Sequence, residues 1–412
     1  MMSLVSGFAE FARHPRRQPT NLAFVNGAMF GFSLSAMTLL IPLYAIQQGF
    51  RLSDQGIIIS AAAVFMVLLR LPGGAISDRF GERIVITFSF VTCLLGSLIA
   101  IFANNIVPLI ASQLLSGASR SVYWSAAQSY ISRSSQGETG KMMGRQLAFE
   151  SSAGILGGLV AGFVAEIFGF APAFTIVAVL STVGIIVTSS LPSLPRKDQV
   201  RSIKESFAPA GKMLFSRSLA FAHLVAFMGA AYSALVGGLF IAYFRDIGYS
   251  EGLTGLVRSL NGVGTVIVAL FFGAVLARFG ARTAGVVGMV LTGIICAWNA
   301  NAGDVFLPVA LMTLSGMTFG ILRTLYPTLA AQKSNPNERA MALAVVSLYW
   351  AVAMLIVPVI FGFIADGTSI SMSITIFGAI SVVAGLLSPL VYRLGVTDDA
   401  QVPAAAEAAR SG

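Results

Sequence analysis

The sequence predicts an all-α membrane protein: twelve transmembrane helices arranged as two pseudo-symmetric six-helix halves. Three observations carry that expectation. The 412 residues are 56% hydrophobic with a mean hydropathy of +0.83, too little polar surface to cover a soluble globule. Apolar stretches long enough to cross a hydrocarbon core of roughly 30 Å recur along the whole chain. Finally, one half of the sequence is written twice.

The apolar stretches run approximately over residues 21–48, 53–77, 84–103, 106–130, 147–168, 173–191, 218–244, 252–277, 284–300, 304–330, 340–364 and 370–392. Each reads as a helix, because backbone amides in lipid must be satisfied within their own segment, and a barrel needs shorter, alternating segments. Residues 1–20 lack the apolar core and cleavage site of a signal peptide and read as a retained cytoplasmic tail. An offset of 199 lays Tyr44 on Tyr243, Gly56 on Gly255, and GAISDRFGER (74–83) on GAVLARFGAR (273–282). An offset of 200 lays GLVAGFVAE (158–166) on PVIFGFIAD (358–366). Residues 21–191 and 218–393 are therefore two copies of one unit. The polar, proline-containing stretch 192–217 is the expected cytoplasmic linker, and the Ala-rich stretch 394–412 the expected disordered cytoplasmic tail. An even number of spans per copy gives both the same topology, an arrangement that places a binding site between the halves at mid-depth.

The net charge of +9 is explained by where the 26 Lys and Arg fall. Arg51 and Arg245 lie in loops on one side, Arg70, Arg120, Arg258 and Arg323 within spans, and the rest on the other side. That bias places both termini in the cytoplasm of a bacterial-type inner membrane, and makes the basicity a matter of orientation rather than of nucleic-acid binding. Cys93 and Cys296 lie inside spans and read as buried thiols. With two histidines and no phosphate-binding loop, the chain offers no metal site, no cofactor site and no support for ATP-driven pumping.

Charge concentrates in GGAISDRFGERIV (73–85), at the end of the second span. Asp78 there faces the negative end of its own helix dipole and needs compensation, from Arg79, Arg83 or a helix N-terminus of the other half. On residue physics alone the turn is either a latch that holds the cytoplasmic side closed, or a stop that fixes topology. The pattern G-x-x-x-D-R-x-G-x-R resembles motif A of the major facilitator superfamily, and the resemblance covers nearly the whole chain. It implies a secondary transporter working by alternating access, usually monomeric, with this turn stabilising the outward-facing state. Gly74, Asp78, Arg79, Gly81 and Arg83 match the motif, and Gly273, Arg278, Gly280 and Arg282 form a second copy. Glu82 departs from it where a basic residue is common, and Ala277 replaces the acid in the second copy.

The fifth span contains AGILGGLVAGF, whose Gly154, Gly157, Gly158 and Gly162 make a smooth face for close helix packing. The stretch also resembles motif C of the drug/proton antiporter branch, with Gly158 at the proline position and Pro358 at the equivalent place in the eleventh span. That resemblance implies export driven by protons. The first span carries no acid, which leaves Glu150 as the candidate proton carrier: low dielectric favours a neutral carboxyl and a nearby arginine the charged form. Arg70 either pairs with Glu150 or snorkels. Arg120 costs at least about 2.5–3.5 kcal/mol to insert, so it faces a cavity or a carboxylate. There it attracts an anionic substrate, tunes a nearby acid or pairs structurally. Arg258 reads as reaching the outer surface, and His223 as either a titratable coupling group or a packing residue.

The candidate substrate wall is aromatic and amide-rich: Asn26, Tyr123, Trp124, Gln128, Tyr232, Asn261, Tyr326, Tyr349 and Trp350, with Arg120 and Arg323. Such a wall suits small amphiphilic organic molecules, although aromatics near span ends also serve as interface anchors. The expected function is proton-coupled efflux of amphiphilic compounds, with protons and membrane lipid as further partners. One alternative is an organic-anion carrier, by uptake or exchange, that uses the embedded arginines. The other is a non-transporting receptor or enzyme, against which the intact motif A and the scarcity of reactive side chains both stand.

Overall fold

The computed structural model describes residues 19–134, 139–194, 210–302, 306–334 and 338–408, which contain helices and connecting turns and no strand. The first half holds α1 (Pro19–Gln47), α2 (Leu52–Leu69), α3 (Gly73–Phe80), α4 (Glu82–Ile101), α5 (Ile106–Ser134), α6 (Thr139–Phe168) and α7 (Phe170–Ser189). The second holds α8 (Ala220–Val236), α9 (Leu239–Asp246), α10 (Glu251–Asn299), α11 (Leu307–Gln332), α12 (Arg339–Gly367) and α13 (Ile370–Ala408).

Ten of the described helical segments are long and apolar enough to cross a membrane. The twelve expected spans reconcile with that number at two places. The 49-residue α10 is broken at Gly280 and supplies two spans. The 29-residue α5 is long enough, but its serines, Gln113 and Arg120 make it more polar than the others. The seventh span is interrupted at Gly237 and Gly238, which separate α8 from α9.

The repeat in the sequence is a repeat in the backbone. Gly81 and Gly280 both adopt positive φ, 88° and 73°, a region that penalises any side chain, and each ends the helix before it. Arg79 lies 5.7 Å over the ring of Phe80, and Arg278 lies 5.8 Å over that of Phe279. Within the first half α1 packs on α6, and α4 on α5 and α7; within the second, α10 packs on α11 and α13, and α8 on α12. Tyr123, Phe90 and Phe174 fill the first half, and Tyr232, Phe244 and Phe377 the second. Phe102, Leu270 and Phe306 stand exposed on the surface, the pattern of a bundle solvated by lipid.

The halves meet along two seams, α2 against α12 and α6 against α10. One end of the bundle carries α3, Arg83, Arg133 and Arg282 and is called the basic end; the other, with the starts of α2 and α10, is called the far end. The expected N-terminal tail, up to residue 18, and linker residues 195–209 lie outside the described residues, while 210–214 are helical. The stretch from 394 was expected to be disordered, but α13 continues through it to Ala408.

Candidate functional site between the halves

At the far end, the two seams are closed by the same device. Asp366, in the last turn of α12, accepts the backbone N–H groups of Leu52 and Ser53 at 3.0 Å each, with Arg51 Nε 3.7 Å away. Glu166, in the last turn of α6, accepts the Ser250 hydroxyl at 2.7 Å and the Gly252 N–H at 2.8 Å. In both cases a carboxylate from one half satisfies the unpaired first-turn amides of a helix in the other, at the positive end of its dipole. The backbones beneath touch. A Cβ on Gly362 would lie 2.5 Å from the Leu52 carbonyl oxygen and one on Gly162 2.7 Å from that of Glu251, while Gly56 leaves no room for a side chain against the Pro358 carbonyl. Glu166 and Asp366 stood in register in the repeated sequence, but nothing there indicated what they would bind.

At the basic end the charged groups turn inward on their own half. α3 packs on α4 and α5. Glu82 accepts from Arg133 of α5 at 2.6 Å and from the Ser129 hydroxyl at 2.8 Å. Arg83 donates to the Ser189 carbonyl at the end of α7, and Arg79 rests on Phe80. The departure at Glu82 therefore has a structural reason: the acid locks the start of α4 to the end of α5. Gly74 and Asp78 belong to α3, but their side chains lie outside the described residues.

Between the ends, Glu150 is buried in α6 with its side chain packed on Gly31 of α1. It takes part in none of the ion pairs among the described residues, and Arg323 of α11 belongs to the other half. Arg70 does not pair with Glu150 as one expectation had it; its neighbour is Tyr326 of the other half. Arg258 does not reach the outer surface either. Its Nη1 donates to the carbonyl (3.3 Å) and hydroxyl (3.2 Å) oxygens of Ser35 in α1, because the absence of a side chain at Gly158 leaves a polar notch within reach. Trp124, Tyr326 and Trp350 are partly exposed, with the Tyr326 and Trp350 rings 5.5 Å apart, and Gln128 and Arg323 are exposed.

Several residues expected on the substrate wall are instead internal ties. Asn26 donates to Thr188 Oγ1 at 2.7 Å and accepts from Tyr123, whose ring stacks on Phe30. Tyr232 donates to Ser315 at 2.7 Å and accepts from Asn261, which also donates to the Met312 carbonyl at 3.1 Å. These four are buried inside their own halves, with their polar groups answered by neighbours that a sequence does not show together. Tyr349 donates to the Leu214 carbonyl at 2.6 Å, and its ring stacks on that of the buried His223 at 4.2 Å. Of the motif C-like glycines, Gly154 and Gly157 lie on α1 and Gly158 and Gly162 on α10. Arg278, Gly280 and Arg282 are exposed or at the turn. Among the described residues no group of three or more His, Cys, Asp or Glu is placed to hold a metal ion.

Comparison with known proteins agrees with this architecture. The family model of the Major Facilitator Superfamily matches residues 22–244 and again 222–411. The chain is 23% identical to the 4-hydroxybenzoate transporter PcaK of Pseudomonas aeruginosa over 77% of its own length and 79% of that protein. It is 24% identical to the multi-drug resistance efflux pump PmrA of Streptococcus pneumoniae, over 69% and 73% of the two chains. Its fold is similar to the crystal structure of the nucleoside transporter NupG, with a TM-score of 0.75 over 92% of this chain and 99% of that one. The identity there is 13%, so that likeness speaks to the fold alone. Twelve spans in two repeated halves, a motif A turn in each, and a family match over nearly all of the chain make this integral membrane protein a member of the Major Facilitator Superfamily, a transporter and not an enzyme.

Proposed function

We propose that this transporter is a proton-coupled exporter of small amphiphilic organic molecules that works by alternating access, with the basic end in the cytoplasm. The observation that carries the reading is the asymmetry of the cleft: the halves are clasped at the far end by two carboxylates, while Glu150 lies buried between the ends and forms none of the ion pairs among the described residues. A bound proton neutralises Glu150 while the halves are apart at its level. In the export direction the proton reaches Glu150 from the far side and leaves to the cytoplasm when substrate enters through the open basic end. The restored carboxylate then draws Arg323 in and favours closure of the basic end. Coupling then follows from linkage, because the proton and the closed basic end oppose each other. The efflux pump PmrA, and the partly aromatic wall formed by Trp124, Tyr326 and Trp350, support export of amphiphiles. A second reading, an organic-anion carrier working by uptake or exchange, draws support from the four arginines within the spans and from PcaK, named for an aromatic acid.

The test is retention of a panel of cationic and anionic fluorescent compounds in efflux-deficient cells that express the protein, with and without a protonophore. Export predicts lower retention that the protonophore abolishes and that Glu150→Gln reduces at least tenfold. Accumulation of anions alone would overturn export in favour of the second reading. Full activity of Glu150→Gln would remove the proton carrier from the proposal.

A further inference from the structure

We infer that the indole of Trp350 is a fixed platform on which the transported molecule stacks a planar aromatic ring system, and that Gly229 sets the position of that platform. The inference rests on the reading of the cleft as the path of small amphiphiles and adds the class that it selects: fused aromatic rings over a saturated apolar body of the same size.

Arg323 marks the side of α11 that lines the cleft. It is exposed midway along an apolar span, and a cation at that depth faces water inside the bundle rather than lipid. Tyr326, three residues on, lies on the same face. Its ring is 5.5 Å from that of Trp350 and inclined to it by 36°, and both side chains are partly exposed, so the two rings share that wall.

Behind the wall the indole has little room to retreat. A Cβ on Gly229 of α8 would lie 3.3 Å from Trp350 Cζ3. The Phe319 ring lies 6.0 Å from it, and Phe319 rests in turn 5.2 Å from Tyr232, whose hydroxyl is tied to Ser315 and Asn261. A ring anchored this way accepts a stacked partner without first losing rotamer freedom.

The repeat shows why the second half carries the platform. The offset of 199 lays Gly229 on Phe30, and the offset of 200 lays Trp350 on Glu150. In the first half Phe30 fills its own position, buried and stacked on Tyr123 at 3.5 Å. In the second half the glycine leaves that position open, and the indole from α12 packs against it. Where one half holds a carboxyl, its counterpart thus holds an aromatic face, so proton and ring system have separate seats. Such a face carries no formal charge and rewards an offset-stacked ring beyond the area that it buries.

The test compares 2-naphthalenemethanol with its saturated counterpart, decahydro-2-naphthalenemethanol, which keeps the skeleton and the hydroxyl but loses the aromatic plane. Binding to the purified full-length protein in detergent is read by calorimetric titration, with empty micelles subtracted. The aromatic alcohol is expected to bind about three- to tenfold tighter, the worth of one stacked pair. Trp350→Leu is expected to erase that preference and Trp350→Phe to keep part of it, whereas Trp298→Phe, exposed on α10, leaves it unchanged. Gly229→Ala retains the indole but pushes it toward the cleft, and is expected to weaken the aromatic alcohol about threefold while the unliganded protein stays folded. Equal or tighter binding of the saturated alcohol, no binding of the aromatic one, or a preference that survives Trp350→Leu would each overturn the platform. Undiminished binding in Gly229→Ala would overturn the role of the glycine. Because no proton gradient enters this assay, failure of proton-driven export leaves its outcome intact, and the reverse also holds.

Discussion

At the far end, carboxylates of one half reach backbone amides of the other; at the basic end, Glu82 and Arg83 are tied to α5 and α7 of their own half. The difference matters for motion. When two rigid halves rock, the contacts within a half travel with it and only those between halves break. A carboxylate on a helix N-terminus suits a contact that must break, because carboxylate and amides both regain water as they part. The Glu82–Arg133 pair is mostly buried and has no such exchange available, which fits a permanent strut. On the proposed alternating access, the far end is then a releasable clasp and the basic end carries fixed braces.

The strongest way to break the comparison is steric. Gly56→Val places a side chain against the Pro358 carbonyl and is expected to hold the far end apart, reducing transport roughly tenfold or more, the effect of an overpacking strain of about 1–3 kcal/mol. The spin–spin distance between labels at Gln48→Cys and Thr368→Cys, with Cys93 and Cys296 left buried, should lengthen. An unchanged distance would show that the glycine seam does not control closure.

Next in size is Glu82→Gln, which leaves Arg133 without its carboxylate and is expected to cost about 1–3 kcal/mol of stability. Thermal unfolding should show the loss, while the far-end distance stays as in the unaltered protein. A change in that distance would contradict the assignment of the pair as a brace within one half.

Asp366→Asn removes charge from two short hydrogen bonds and should shift the far end toward opening by about 1–2 kcal/mol, roughly tenfold in population. The same pair of spin labels reads it directly as growth of a longer-distance component. Glu166→Gln repeats the change on the other seam, where the acid is more exposed and screened; its shift should be about 0.5–1 kcal/mol and should shrink further at high salt. Equal effects at both sites would mean that solvent exposure does not grade the two clasps.

The sequence made some of this legible and hid the rest for identifiable reasons. Motif A announced a turn at Gly81, and the repeat announced its twin at Gly280; both adopt the positive φ that only glycine takes readily. Asn26, Tyr123, Tyr232 and Asn261 looked like a polar substrate wall because polar side chains in apolar spans invite a functional reading. They are instead hydrogen-bonded inside their halves, to partners tens to more than a hundred residues away in the chain. Arg258, set aside as a surface residue, is a contact between halves because Ser35 and Gly158 meet it in space.

The sequence by itself determined the membrane class, the two halves and their pseudo-symmetry, because hydropathy, charge bias and repeats are properties of the order of residues along the chain. Only the tertiary structure decided what Arg258 reaches, which amides stay inside a half and which carboxylates clasp the far end. Each of those depends on rotation about a helix axis and on which helices become neighbours, and neither is recorded in the spacing of residues along one span.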